Sequence, residues 1–232
     1  MLRLDGPRMP PSNGGRPRKL VILAHGYGSN GADLIGLAPY WSRMLSDAAF
    51  VAPNAPEPVP GFPGGHQWFP ITRLDPRELA AGAVRAAVSL DRFIDAELAR
   101  HELPASACAL VGFSQGTMMS LHVGLRRAEP LAAIVGYSGA LVGAETLPGE
   151  IRSRPPILLA HGNADDMVPI EALFGALGGL AAAQTPARFL ISPGLGHSIA
   201  EEGLAEGGVF LAGAFAGAYA GWTAPCPLDA RP

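Results

Sequence analysis

One serine lies between two glycines in the segment Val111-Gly112-Phe113-Ser114-Gln115-Gly116, after an apolar run and before a helical pattern. Strand, tight turn and helix in this order form a nucleophile elbow, which projects the hydroxyl of the central serine from the turn. Glycine is expected two residues before and after Ser114, because side chains at those positions would collide. The N–H of Gln115 lies at the start of the helix, where a partial positive charge suits an oxyanion. The chain contains 30 glycines, so the motif is weak evidence until its partners are found.

The histidine that activates a serine must lie on a loop from which it can accept the proton of the hydroxyl. His197 meets this requirement, because its loop, Gly194-Leu195-Gly196-His197-Ser198, follows the last predicted strand. It also comes after Ser114 in the chain, as in the order serine, acid, histidine of one large class of hydrolases. His25 and His161 each end a strand before a glycine, where we expect them to brace neighbouring loops.

The carboxylate that orients this histidine should follow a strand between Ser114 and His197. The segment His161-Gly162-Asn163-Ala164-Asp165-Asp166-Met167-Val168-Pro169 supplies Asp165 and Asp166. Asp166 is also suited to cap a helix that begins near Pro169, since short acceptors are favoured at that position. The spacing therefore favours Asp165 as the orienting acid but leaves both carboxylates open.

A second oxyanion donor is expected from the loop after the first long strand. That loop is His25-Gly26-Tyr27-Gly28, and we assign the donor to the backbone N–H of Tyr27. The same glycines, with Gly31, match the dinucleotide-binding pattern G-x-G-x-x-G. That pattern needs an acidic residue at the end of the next strand, which here ends in Ala52-Pro53-Asn54. The sequence therefore favours acyl transfer over nucleotide binding.

The elements that must position these residues are apolar runs that alternate with helical patterns. Strands are predicted at residues 19–24, 49–52, 107–111, 131–137, 156–160 and 187–191, with a short edge strand at 2–4. Helices are predicted at residues 33–45, 76–101 and 169–183, directly after Ser114, and at the end of the chain to about 219. Continuous apolar strands that alternate with helices indicate an α/β fold, with a mostly parallel sheet covered by helices on both faces. We interpret residues 1–232 as one domain, with an arm at 1–17 and a loosely ordered tail at 222–232.

A long proline-rich loop at residues 53–75 lies between a strand and a helix. Loops of this length inside compact domains are often functional. Its aromatic residues, together with Met167, suggest an apolar substrate groove lined by Phe62, Trp68, Phe69 and Met167. The alternative is ordinary packing of the loop on the core.

Composition and charge exclude several classes of protein. The net charge of −3 gives no basic surface for nucleic acid, and two distant cysteines exclude a cysteine-rich metal site. The start of the chain has no apolar signal segment, so we expect a cytoplasmic protein. Residues 207–228 are uncharged but half of them are glycine or alanine, whereas a membrane span needs about 20 strongly apolar residues. We expect no stable membrane insertion. Glycines at 213, 217 and 221 permit close helix packing, which we interpret as intrachain, with a homodimer as the alternative.

As a set, these segments resemble the phospholipase/carboxylesterase family of α/β-hydrolases, which includes bacterial carboxylesterases and acyl-protein thioesterases. The matching segments are His25-Gly26-Tyr27-Gly28 with Asp33-Leu34, Gln67-Trp68-Phe69, Gly112-Phe113-Ser114-Gln115-Gly116, His161-Gly162-x-x-Asp165-x-x-Val168-Pro169, and Gly196-His197-Ser198. The resemblance implies an α/β-hydrolase fold without a large cap domain. It also implies Asp165, and not Asp166, as the catalytic acid.

The expected activity is that of a serine hydrolase with the triad Ser114, His197 and Asp165, which cleaves a small-molecule or lipid ester through an acyl-enzyme. No metal or organic cofactor is required by this chemistry. A carboxylesterase of short- to medium-chain acyl esters fits best, with a lysophospholipase or an acyl-protein thioesterase as alternatives. A non-catalytic binding protein of the same fold is disfavoured because all three triad residues are present. For Gln115, where only the backbone N–H has a role, we expect a replaceable side chain.

Overall fold

A seven-stranded sheet forms the centre of the protein in the computed structural model, which describes residues 4–72 and 75–222. The strands are β1 Arg8–Met9, β2 Lys19–Ala24, β3 Ala48–Val51, β4 Glu57–Pro58, β5 His66–Gln67, β6 Cys108–Phe113, β7 Ala133–Tyr137, β8 Ile157–Gly162 and β9 Ala187–Ser192. In the sheet they follow the order β1-β3-β2-β6-β7-β8-β9, and β4 pairs with β5 in a separate hairpin. Only the pairing of β1 with β3 is antiparallel within the seven described strands.

Successive residues of each central strand enter cores on opposite faces of the sheet. In β2, Leu20 and Ile22 pack into one core, while Val21 and Leu23 pack into the other. Because side chains alternate across a strand, a strand that is covered on both faces must be apolar throughout. The predicted mostly parallel α/β sheet is confirmed.

Helices cover both faces. They are α1 Gly31–Leu34, α2 Ala38–Ser42, α3 Pro76–His101, α4 Gln115–Gly124, α5 Leu147–Glu150, α6 Glu171–Ala182 and α7 Glu201–Phe215. Residues of α3 and α4 share a core with Leu20 and Ile22, and residues of α1, α2 and α7 share a core with Val21 and Leu23. Between the described elements no segment is long enough to form a large cap domain, as expected.

The predicted helix at residues 33–45 is wrong in its continuity. The structure divides it into α1, a 3₁₀ turn at Ile35–Leu37, and α2. Gly36 is a weak helix former, and Pro39 has no N–H for a helical hydrogen bond. Leu34, Trp41 and Leu45, whose spacing suggested one helix, are still buried. The three pieces follow one another with right-handed helical backbone at their junctions.

The edge strand lies at Arg8–Met9 and not at residues 2–4, of which the first two lie outside the described residues. The guanidinium group of Arg8 donates to Oε1 of Glu97 at 2.7 Å, which connects the strand to α3. The predicted tail also falls largely outside the described part of the chain, which ends at Trp222. Among the helices of the described residues, none combines the length and apolar character that crossing a bilayer requires.

Candidate active site

Ser114 lies at the junction of β6 and α4, in a backbone conformation that few side chains adopt. Its φ is 54° and its ψ is −115°, and its hydroxyl therefore leaves the turn instead of capping the helix. A side chain at Gly116 would collide with the carbonyl oxygen of Ala24, and one at Gly112 would collide with the backbone of Gly116. The glycines of the elbow are thus required by close backbone packing.

The loop after β2 packs directly against this elbow. A Cβ atom at Gly26 would lie 3.2 Å from Cβ of Ser114, so the next residue of the loop, Tyr27, lies beside the serine. Within the described residues, the N–H groups of Tyr27 and Gln115 have no hydrogen-bond partner. Two unpaired donors beside a serine can bind an oxyanion. The neighbouring Gly31 is explained by packing, because a side chain there would collide with the carbonyl oxygen of Ala52.

Asp165 lies in the loop that follows β8, with both carboxylate oxygens occupied. Oδ1 accepts the N–H groups of Met167 at 3.0 Å and Val168 at 2.8 Å, and Oδ2 accepts Nδ1–H of His197 at 2.8 Å. Burial opposes ionisation of this carboxyl, but the donors from Val168 and His197 outweigh it and hold its pKa below the usual range.

Asp166 has a different environment from Asp165. Its side chain is exposed, and the structure does not place it at the start of α6. That helix begins at Glu171, and Ile170 precedes it without a capping side-chain bond. The interpretation of Asp166 as a helix cap is therefore wrong, and the structure brings Asp165, not Asp166, to His197.

The imidazole of His197 lies against the ring of Phe113, the residue before Ser114, with ring centroids 4.9 Å apart. A carboxylate can only accept, so the bond to Asp165 places the proton of the neutral ring on Nδ1. Nε2 then carries a lone pair. The arrangement provides a proton acceptor beside the elbow, with its tautomer set by Asp165.

His25 and His161 brace loops, as predicted. Nε2 of His25 accepts the N–H of Ala55 at 2.9 Å, so its Nδ1–H must donate to the carbonyl of Gly26. Burial lowers the pKa of His25 to about 4, which keeps the ring neutral and this pattern intact near neutral pH. His161 donates from Nε2 to the carbonyl of Val168 at 2.7 Å, close to Asp165.

The side chain of Gln115 contradicts the expectation that it is replaceable. It is fully buried, accepts the N–H of Trp68 at 2.9 Å and donates to the carbonyl of Phe69 at 2.8 Å. Trp68 in turn donates from Nε1 to the carbonyl of His25 at 2.9 Å. The amide of Gln115 therefore joins the elbow to the proline-rich loop, and the indole of Trp68 joins that loop to residues 25–28, here called the oxyanion loop.

The hairpin of β4 and β5 supports the oxyanion loop from the other side. Gly28 donates to the carbonyl of His66 at 2.9 Å, and the N–H of His66 donates to the carbonyl of Ser29 at 2.7 Å. This pairing places part of the proline-rich loop beside Tyr27. The loop at residues 53–75 is thus partly a hairpin, not a structureless connection; residues 73 and 74 lie outside the described part.

The four residues predicted to line a substrate groove have two different environments. Trp68 and Phe69 are each 1% exposed and belong to the core, so their assignment to an open groove is corrected. Gln115 draws them inward by pairing with their backbone. Phe62 and Met167, in contrast, are 59% and 62% exposed, and Phe62 approaches Gly28 of the oxyanion loop. The exposed ring of Tyr27 adds an apolar residue that the sequence analysis did not assign to the groove.

Ser138 contacts the loop of His197, which the sequence did not predict. It follows β7 directly, and its hydroxyl donates to the carbonyl of Ser198, next to His197, at 3.0 Å. The available signal was its position: in a parallel sheet, the residue after every strand lies at the same edge as the elbow. The loop after Tyr137 therefore belonged with the loops that carry Tyr27, Asp165 and His197.

Comparison with known proteins gives consistent results. Residues 11–213 match the family model described as Phospholipase/Carboxylesterase. The chain is similar to the crystal structure of esterase PE8, with a TM-score of 0.87 and 45% identity, over 90% of this chain and 98% of that one. It is also similar to Arabidopsis thaliana SOBER1, with a TM-score of 0.74 and 27% identity, over 84% and 97% of the two chains. Acyl-protein thioesterase 1 of Schizosaccharomyces pombe is 36% identical over 157 residues, which are 64% of this chain and 69% of the relative.

Replacing Gln115 by leucine should lower the free energy of unfolding by about 2–4 kcal/mol, because a buried N–H of Trp68 and a buried carbonyl of Phe69 lose their partner. Urea unfolding followed by tryptophan fluorescence measures this change. Gln184→Leu is the matched control, since Gln184 is exposed, and should change the value by less than about 0.5 kcal/mol. Equal stability of the two variants would contradict the role assigned to the Gln115 amide.

Proposed function

The chain belongs to the phospholipase/carboxylesterase family, and from that premise we propose that it hydrolyses carboxylic esters with Ser114 as nucleophile, His197 as general base and Asp165 as orienting acid. The observation that carries this proposal is the bond of 2.8 Å between Nδ1 of His197 and Oδ2 of Asp165, beside a strained serine. The bond leaves Nε2 as the only ring nitrogen that can accept a proton. A loop histidine with a merely local role has no need of a buried, ionised carboxylate.

In the first half of the reaction, Oγ of Ser114 attacks the ester carbonyl carbon while Nε2 of His197 takes the hydroxyl proton. The carbonyl π electrons move to oxygen and form a tetrahedral oxyanion. His197 then donates its proton to the leaving oxygen, the carbon–oxygen bond breaks, and an acyl-enzyme and an alcohol result. Asp165 stabilises the imidazolium that exists between the two proton transfers.

The oxyanion is stabilised in this proposal by the N–H groups of Tyr27 and Gln115. Each such donor typically contributes about 3 kcal/mol, because it is aimed in advance at charge that develops only in the transition state. Gln115 also begins a helix of ten residues, whose partial positive charge acts on the same oxygen. The packing of Gly26 on Ser114 supports the alignment of both donors with the nucleophile.

In the second half, water replaces the alcohol. His197 takes a proton from water, the hydroxide attacks the acyl carbon, and a second oxyanion forms at the same donors. Collapse of this intermediate returns the proton to Oγ of Ser114 and releases the carboxylic acid. Every proton passes through Nε2 of His197, and the balance of atoms requires only the ester and water.

Two substrate classes share this chemistry, since a thioester differs only in its leaving group. We favour a carboxylesterase, because the similarity to esterase PE8 extends over 90% of the chain. We expect it to prefer short- to medium-chain acyl esters. The thioesterase alternative is supported by acyl-protein thioesterase 1 of Schizosaccharomyces pombe, whose similarity covers 64% of this chain. Exposed apolar side chains near the oxyanion loop suit an acyl chain in either class.

Ser114→Ala should reduce kcat by about 10⁶-fold, because the covalent intermediate can no longer form. The variant should unfold at the same urea concentration as the wild type, since alanine and serine are strained alike at this backbone position. Hydrolysis of p-nitrophenyl butyrate measures the loss, and a fluorophosphonate probe should label the wild type at Ser114 alone. Retained turnover in the alanine variant would exclude Ser114 as the nucleophile.

Asp165→Asn and Asp166→Asn provide a matched pair of adjacent substitutions. The first should lower kcat by roughly 10³–10⁴-fold, because the amide stabilises the wrong tautomer of His197 and cannot stabilise its positive charge. The second changes an exposed side chain and should leave kcat within about twofold of the wild type. The reverse ranking would transfer the orienting role to Asp166.

A series of p-nitrophenyl esters from acetate to palmitate, with palmitoyl-thiocholine in parallel, tests the substrate class. The wild type should show its highest kcat/KM at short to medium acyl chains, and a maximum with the palmitoyl thioester would favour the thioesterase alternative.

Phe62→Ala should lower kcat/KM for the best ester about tenfold more than for acetate, the equivalent of roughly 1.4 kcal/mol of apolar contact. Phe189→Ala, on a similarly exposed ring of β9, should preserve the wild-type profile.

A further inference from the structure

Ser138 combines two properties that rarely occur together in a residue without a functional role. It is 1% exposed, and its φ of 47° lies in the left-handed region, which residues other than glycine, asparagine and aspartate rarely adopt. Its backbone N–H donates to the carbonyl of Ala160 in β8 at 2.9 Å, which holds this conformation at the end of β7. A strained conformation persists only where the surroundings impose it, and such residues cluster at functional sites.

Twelve residues of the described chain have a φ in the left-handed region, Ser138 among them. Eight of them are glycines, the residue that adopts this conformation without steric cost. Four are not, and of these Glu102 and Gln184 are exposed residues that follow the helices α3 and α6. The remaining two are Ser114 and Ser138, both at the same edge of the sheet. A serine at position 138 therefore points to a role for its hydroxyl.

That hydroxyl holds the loop of His197 from its C-terminal side. Oγ of Ser138 donates to the carbonyl of Ser198 at 3.0 Å, across 60 residues of sequence. The N–H of Ser198 donates to the carbonyl of Gly196 at 2.8 Å, so His197 is the central residue of a three-residue turn. Ser138 thus fixes the closing residue of the turn that presents the imidazole.

The opposite side of the same turn is held by the loop after β8. Oδ1 of Asn163 accepts the N–H of Gly194 at 2.6 Å, and the N–H of Ala164 donates to the carbonyl of Leu195 at 3.0 Å. The backbone before His197 is therefore fixed to the loop that carries Asp165. Within the described residues, the hydroxyl of Ser138 is the one hydrogen-bond donor to the carbonyl of Ser198.

We propose that Ser138 is a positioning residue for the ester hydrolysis described above, and that its hydroxyl fixes the backbone of His197 relative to Ser114 through the carbonyl of Ser198. The inference rests on the proposed role of His197 as general base. Ser138 acts at the shared edge because β7 lies beside β6: the N–H of Ser114 donates to the carbonyl of Tyr137, the residue before Ser138, at 2.9 Å. Tyr137 and Ser138, adjacent residues at the end of β7, thus hold the backbone of the proposed nucleophile and the backbone next to the proposed base.

Two variants separate positioning from ordinary loop stability. Ser138→Gly removes the hydroxyl and also the left-handed strain, so its urea midpoint should stay close to that of the wild type. Ser138→Ala removes the hydroxyl and keeps the strain, so its midpoint should fall. Both should lower kcat for p-nitrophenyl butyrate by about tenfold or more, because a small displacement of a general base is costly, while KM stays within about twofold. The rate of fluorophosphonate labelling of Ser114 should fall with kcat.

Gln184→Gly is the matched control, because it relieves the same kind of strain at an exposed position and should leave kcat unchanged. Ser114→Ala is assayed in parallel. If that variant is inactive and Ser138→Gly retains the kcat and labelling rate of the wild type, the role of Ser138 is overturned and the proposed function stands. A rise of KM with unchanged kcat also overturns it. If Ser114→Ala remains active, the proposed function fails and the inference about Ser138 fails with it.

Discussion

The structure depends on the close contact between the elbow and the end of β2. Gly116, in the first turn of α4, approaches the carbonyl oxygen of Ala24 so closely that no side chain fits between them. This contact seats α4 over the sheet and brings Gly26 against Ser114. A larger residue would lift the helix from the strand, and the serine and the oxyanion loop would separate together. The geometry of the site is thus set by backbone packing, which is rigid because protein interiors are close-packed.

A buried network of neutral polar groups reinforces this contact. The amide of Gln115, the indole of Trp68 and the imidazole of His25 connect the elbow, the proline-rich loop and the oxyanion loop. Buried polar groups cost free energy unless each has a partner, so such a network favours one arrangement over near alternatives. None of the three groups carries a charge near neutral pH, which avoids the large desolvation penalty of buried ions. The proline-rich loop therefore contributes to the core as well as to the rim of the site.

The sequence predicted where the candidate site lies because its residues follow apolar runs. Tyr27, Ser114, Asp165 and His197 each come after a strand of the parallel part of the sheet, and the carboxyl ends of parallel strands share one edge. It did not predict side chains whose partners are distant in the chain. Gln115 and Trp68 are 47 residues apart, and local composition gives no indication that an amide at an elbow turns inward. Proline-rich composition suggested exposure for Trp68 and Phe69, whereas tertiary hydrogen bonds bury them.

The pairing of the loops after β8 and β9 has a consequence for the order in which the site is assembled during synthesis. The elbow, the oxyanion loop and the network that joins them come from residues 24–116. Asp165, His197 and the bonds between their loops come from residues 161–198. A ribosome therefore completes the proposed oxyanion site well before the proposed general base and its orienting acid. Until residue 197 has emerged and docked, the nascent chain lacks the proposed base, so we expect hydrolysis only after residues 161–198 have joined the fold.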